Sequence, residues 1–148
     1  MNPQIVRSCT ILLVDDEEPN LDLLEGILEL EGFDHVVRTS DARAVVELFR
    51  THRPDLVLLD LHMPYRSGFE LLGDLRARIA ADDYLPILVL TADVTSEAKE
   101  RALSNGARDF LTKPFDVVEV LLRVRNLLET RTLYLRQRDA REAAERGE

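Results

Sequence analysis

A single cysteine, Cys9, stands among 148 residues. No internal disulfide is available to this chain, and Cys9 has no companion for a metal cluster. It reads as a plain small residue beside a strand. No His/Cys set is spaced for zinc either, and His35 and His52 fall at a strand start and a helix end with no role assigned. Long hydrophobic runs are also missing: Leu56-Val57-Leu58-Leu59 and Ile87-Leu88-Val89-Leu90 are far too short to span a bilayer. Residues 1–10 hold no apolar stretch of signal-peptide length. A soluble cytoplasmic protein without membrane contact is therefore expected. No Lys/Arg block interleaved with aromatics occurs, and the net charge of −9 argues against direct nucleic-acid binding.

What is present is globular. Hydrophobic residues make up 45% and charged residues 32%, without low-complexity tracts. The length suits one domain with a short appendage. Five apolar runs, Ile11 to Val14, Val36 to Thr39, Leu56 to Leu59, Ile87 to Leu90 and Asp109 to Thr112, alternate with amphipathic segments. Their continuous hydrophobicity predicts strands covered on both faces. Between them, Leu21, Leu24, Ile27 and Leu28 with Gly32 predict a helix and its stop. Asp41 and Ser67 are placed to cap the second and third helices. Ser96 opens a fourth, ended by Asn105-Gly106, and a fifth begins near Phe115. Five β-α repeats mean an α/β fold: a doubly wound, flavodoxin-like parallel sheet of order 2-1-3-4-5, with five helices and the last extended.

In such sheets, sites form beyond the carboxyl ends of the strands. Asp15 and Asp16 follow the first strand, Asp60 ends the third, Thr91 the fourth and Lys113 the fifth. Neighbouring first and third strands would bring the three acids into one crevice. Crowded carboxylates repel unless a cation or proton intervenes, and a hard divalent ion such as Mg²⁺ suits an all-oxygen donor set. Taken singly, each acid is better read as a loop residue or helix cap, Asp15 and Asp16 as caps of the first helix; the set of five on one edge argues against that reading. The Lys113–Pro114 bond is a candidate for the cis form, with the ammonium over the crevice. The Thr91 hydroxyl can reach an anionic oxygen.

The segments Leu13-Val14-Asp15-Asp16, Leu58-Leu59-Asp60-Leu61-His62-Met63-Pro64, Leu90-Thr91-Ala92 and Phe110-Leu111-Thr112-Lys113-Pro114-Phe115 together resemble the receiver domains of two-component response regulators. The resemblance runs from about Thr10 to about Glu129. It implies a phosphoacceptor signalling domain, not an enzyme, in which Asp60 takes a phosphoryl group from a histidine kinase or histidine phosphotransfer protein. Asp16, Asp60 and the His62 backbone carbonyl would hold Mg²⁺ (or Mn²⁺ in its place), with Asp15 acting directly or through water. Lys113, Thr91 and the Ala92 amide would meet the phosphoryl oxygens. Phe110 would switch with Thr91, standing where a tyrosine is commoner and lacking its hydroxyl; ordinary strand packing is the alternative. His62 and Asp93 would tune the acylphosphate lifetime.

Residues 1–129 are accordingly read as the receiver and 130–148 as a helical extension or linker to an output domain. Leu121, Val124, Leu128 and Leu135 have heptad-compatible spacing, but Arg131 interrupts that seam. A signalling helix leading to an output domain or downstream effector is expected, against a solvated terminal helix. The output itself is not encoded in these residues. Homodimers could form through the fourth helix–fifth strand–fifth helix face or through the C-terminal helix. Two other functions compete. An aspartyl-phosphate phosphatase of the haloacid-dehalogenase type would carry an acid where His62 stands, and a binding module without phosphorylation would not need all five site residues.

Overall fold

The computed structural model describes residues 8–93 and 95–147. The apolar runs become five parallel strands: β1 (Thr10–Val14), β2 (His35–Thr39), β3 (Leu56–Asp60), β4 (Ile87–Thr91) and β5 (Asp109–Thr112). They lie in the order β2-β1-β3-β4-β5. The helices are α1 (Glu18–Leu30), α2 (Val45–His52, entered through a 3₁₀ turn at Ala42–Ala44), α3 (Gly68–Arg76), α4 (Ser96–Ser104) and α5 (Val117–Glu145). Among the described residues no helix is long and apolar enough to cross a membrane.

Period-two alternation divides the strands between two cores. Ile11, Leu13, Leu56, Leu58, Leu88, Leu90 and Leu111 pack with the apolar stripes of α1 and α5. Leu12, Val14, Val57, Leu59, Ile87 and Val89 pack with residues of α2, α3 and α4. This two-sided burial explains why the strands read as continuous rather than alternating runs. It also assigns faces to the polar residues at the strand ends. Asp15, Asp60 and Lys113 continue the α1/α5-side parity, whereas Thr91 continues the opposite one, which Phe110 shares.

The helix ends obey local chemistry. Ser67 Oγ accepts from the Glu70 amide at 3.2 Å and so caps α3, while the Asp41 carboxylate accepts from Arg43 at 2.9 Å and caps the 3₁₀ turn. The cap of α4 is Thr95, whose hydroxyl accepts from Ala98; Ser96 is its first helical residue. Neither Asp15 nor Asp16 caps α1, which begins behind Glu17 without a side-chain cap bond. Gly32 adopts a φ of +91° just past the end of α1, a conformation that costs glycine little. Cys9 packs against the α1/α5-side core, and burial with the nearby Asp55 charge pushes its thiol up to about 11. That is the inert role the sequence suggested.

Beyond Asp60 the chain turns back so tightly that Gly68 donates its amide to the Leu61 carbonyl at 2.9 Å. A Cβ at Gly68 would stand 2.4 Å from both the Asp60 carbonyl oxygen and Leu61 Cα, whereas one at Gly73, on the exposed side of α3, would meet nothing within 4 Å. Gly68→Ala is therefore expected to lower stability by about 2 kcal/mol or more, through forced backbone movement. Gly73→Ala should be neutral or stabilising by roughly 0.5–1 kcal/mol. Urea unfolding of both variants checks this, and equal midpoints would contradict the close approach at Gly68.

Candidate functional site

The strand register aligns the carboxyl ends. Val14 pairs with Leu59, Asp60 with Leu90, and Thr91 with Thr112. The loops just beyond are pinned to neighbouring strands: the Asp15 amide donates to the Thr39 carbonyl at 3.3 Å, Leu61 to Leu90 at 3.2 Å, and Lys113 to Thr91 at 2.9 Å. These bonds hold the side chains that follow β1 and β5 and the one that ends β3 over one crevice, with Thr91 of β4 beside it. Asp15, Asp60 and Thr91 are 0%, 2% and 2% exposed, and they alone form the buried polar set among the described residues.

Asp15, Asp16 and Asp60 each offer a carboxylate oxygen within 4.8 Å of the others. The Lys113 ammonium lies 3.0 Å from Asp15 Oδ2 and 3.4 Å from Asp60 Oδ2. The Lys113–Pro114 bond is cis, as expected. Asp60 Oδ1 accepts from the His62 amide at 3.1 Å. Its Oδ2, buried, has only the ion-pair approach of Lys113 and no hydrogen-bond partner. Three carboxylates against one ammonium leave two formal negative charges, which a divalent cation would cancel. The all-oxygen donors and the orphaned Asp60 oxygen fit such an ion.

Electrostatics agree with crowding. Burial, the close Asp16 carboxyl and the Asp15 charge push Asp60 up to about 7, against the His62 amide and Lys113, which pull it down. Burial works against the Lys113 ammonium, but the hydrogen bond to Asp15 and the Asp60 and Asp15 charges outweigh it and raise its pKa.

The remaining sequence candidates surround this centre. The Thr91 hydroxyl faces away from Asp60: it accepts from the Asp93 amide at 2.9 Å and donates to the Asp93 carbonyl at 3.5 Å. Asp93 accepts from the Thr95 amide at 3.0 Å, and this bond with that of the Thr95 side chain holds its carboxyl below the usual range. His62 is exposed and shares a hollow of about 250 Å³ with Asp93, Phe69 and Arg101. Ala92 is exposed beside Thr91. Phe110 is half-buried and packs on the α2–α4 side.

Two residues near the centre were not singled out from the sequence. Asn20 donates to Asp15 Oδ2 at 3.3 Å, one helical turn into α1, and Gly68 permits the turn behind Asp60. Asn20 stands a few residues past the acidic pair, but nothing in its spacing says that its amide turns back. Gly68 could have been suspected from a glycine directly after a helix cap.

A family model described as the response regulator receiver domain matches residues 11–125. The probable transcriptional regulatory protein TcrX of Mycobacterium tuberculosis is 37% identical over 119 residues, which are 80% of this chain and 49% of that protein. This chain thus spans about half the length of that curated relative. Among solved structures, the Francisella response regulator 1452 receiver domain is 28% identical with a TM-score of 0.75, covering 83% of this chain and 98% of that one. NtrX from Brucella abortus is 29% identical with a TM-score of 0.83, covering 93% of this chain and 30% of that one.

The raised Asp60 pKa sets a pH dependence. Between its ordinary value near 3.8 and about 7, the folded protein keeps a proton that the unfolded chain has released. In metal-free protein, stability should therefore fall as pH rises through this window, with the penalty complete above about 7. Asp60→Asn should be more stable than wild type at pH 8, by a margin that narrows towards pH 5. Thermal unfolding in EDTA across that range checks it; a margin independent of pH would refute the assignment.

Proposed function

The chain belongs to the response-regulator receiver family, a phosphoacceptor signalling module rather than an enzyme, and from that premise we propose that Asp60 accepts a phosphoryl group from a histidine kinase or histidine phosphotransfer protein. The observation that carries this reading is the buried Asp60 Oδ2, without a hydrogen bond, 3.4 Å from Lys113 and beside two further carboxylates. An oxygen so placed is a nucleophile with its counter-charge already in position. The new P–O bond forms at Asp60 as the P–N bond to the donor histidine breaks, and the imidazole leaves with its electron pair.

Asp15, Asp16, Asp60 and the His62 backbone carbonyl would hold Mg²⁺. When bound, the ion supplies charge neutralisation to the carboxylates and the transferring phosphoryl group. Lys113 is already between Asp15 and Asp60, so a small movement brings its ammonium to a phosphoryl oxygen. The Thr91 hydroxyl exchanges its Asp93 partners for the phosphoryl group, and the Ala92 amide adds a donor. Thr91 and Phe110 share a sheet face, so space vacated by Thr91 is open to the Phe110 ring. His62 and Asp93, flanking the mouth, govern how readily water reaches the acylphosphate.

The readout surface is set by those positions. Leu103 of α4 and Val118 and Leu122 of α5 are exposed, which supports the α4–β5–α5 face as the surface through which an output partner or second copy responds. Residues 1–129 act as the receiver and the rest of α5 carries the signal onward, in the cytoplasm.

Incubation with acetyl phosphate and Mg²⁺ should add one labile phosphoryl group by intact mass. The adduct should be absent with EDTA and in Asp60→Ala. An adduct that survives Asp60→Ala, or neither an adduct nor a spectral response to beryllofluoride, would overturn the proposal.

A further inference from the structure

Helix α5 continues unbroken from Val117 to Glu145. Its first half is held by apolar burial: Val120, Val124, Leu127 and Leu128 belong to the core shared with α1 and the sheet. Val124 and Leu128 are therefore spent inside the domain, and the heptad-like spacing that includes them does not describe a free coiled-coil seam. Beyond Leu128 the helix is mostly polar, so its second half needs another means of attachment.

Arg131 supplies it. Its Nε donates to Asp55 Oδ1 at 3.0 Å, and its Nη1 donates to Asp83 Oδ1 at 2.7 Å and to the Tyr84 carbonyl at 2.6 Å. The side chain is only 12% exposed. The other Asp55 oxygen accepts from the Thr10 amide at 2.9 Å, so this one guanidinium joins α5 to the starts of β1 and β3 and to the loop before β4. Three residues on, the Tyr134 ring lies 5.9 Å from that of Tyr84, which Arg108 covers from 4.9 Å. Arg131 and Tyr134 lie on one helical face, and two consecutive loop residues, Asp83 and Tyr84, meet it.

We propose that Asp55, Asp83 and Tyr84 form a latch that holds the second half of α5 against the receiver body, with Arg131 as its positioning residue. The latch sets the direction in which the helix leaves the domain. While it is closed, Arg131 and Tyr134 are withheld from any other partner. Its signalling consequence rests on the reading above, that α5 leads to an output.

Hydrogen exchange of the full chain, followed by mass spectrometry without phosphodonor, tests the latch independently of Asp60 chemistry. In Arg131→Gln and in Asp83→Asn, amides of residues 133–145 should lose protection by about tenfold, while residues 117–128 exchange as in wild type. Tyr134→Ala provides a milder variant that leaves the charges in place and should loosen the same segment alone. Unchanged exchange of residues 133–145 in the variants would overturn the latch. So would a loss spread evenly from residue 117 to 145 in all three, which would make Arg131 a general stability contact.

Discussion

The Lys113 ammonium, 3.0 Å from Asp15 and 3.4 Å from Asp60, is the interaction on which the rest of this fold depends. At about 4 Å, two like charges near a protein surface repel by roughly 4 kcal/mol at an effective dielectric of about 20. Three carboxylates in one crevice would spread apart if the backbone allowed it. It does not, because each loop is tied to the adjacent strand end and the three central strands are buried on both sides. One cation offsets part of the repulsion, and burial, together with the surplus, raises the Asp60 pKa. A site under this constraint favours whatever brings positive charge.

The parity of the sheet divides the polar residues at this edge between two layers. Asp15, Asp60 and Lys113 continue the alternation of Leu13, Leu58 and Leu111, towards the α1/α5 side. Thr91 continues that of Val89 on the other side, together with Phe110. The acidic crevice and the Thr91–Phe110 pair are thus neighbours at one edge but belong to different layers. Under the proposed phosphorylation, a Thr91 hydroxyl turning towards Asp60 would cross from one layer to the other. Close-packed layers respond to such a change by discrete repacking rather than smooth deformation.

Which features the sequence disclosed depended on how local their physics is. The central strands β1, β3 and β4 were legible because two-sided burial demands contiguous apolar residues. The half-buried edge strands β2 and β5 carry weaker runs; the ends of all five agree to within a residue. Asp15, Asp16, Asp60, Thr91 and Lys113 were legible because each stands at or directly after the end of such a run, so the topology alone converges them. Gly68 and Asn20 were not, since their importance lies in a backbone approach and an amide direction that no pattern encodes. Arg131 misleads for an instructive reason. In isolation a charged residue in an apolar series looks like an interruption; here it is the point where the helix changes its mode of attachment.

That change of mode separates the two halves of α5 energetically. Burying Val120, Val124, Leu127 and Leu128 contributes about 1.5–3 kcal/mol each, which is lost only when the core opens. Charge-assisted hydrogen bonds at the rim are different in kind, because water can take over the same donors and acceptors, so they can be lost without the core opening. Arg131 makes three such bonds from one side chain, with partners 29% and 23% exposed, so they form and break together and near solvent. The second half of the helix can therefore detach without disturbing the sheet or the acidic crevice. A single helix thus has a fixed end that belongs to the domain and a releasable end whose direction the domain controls.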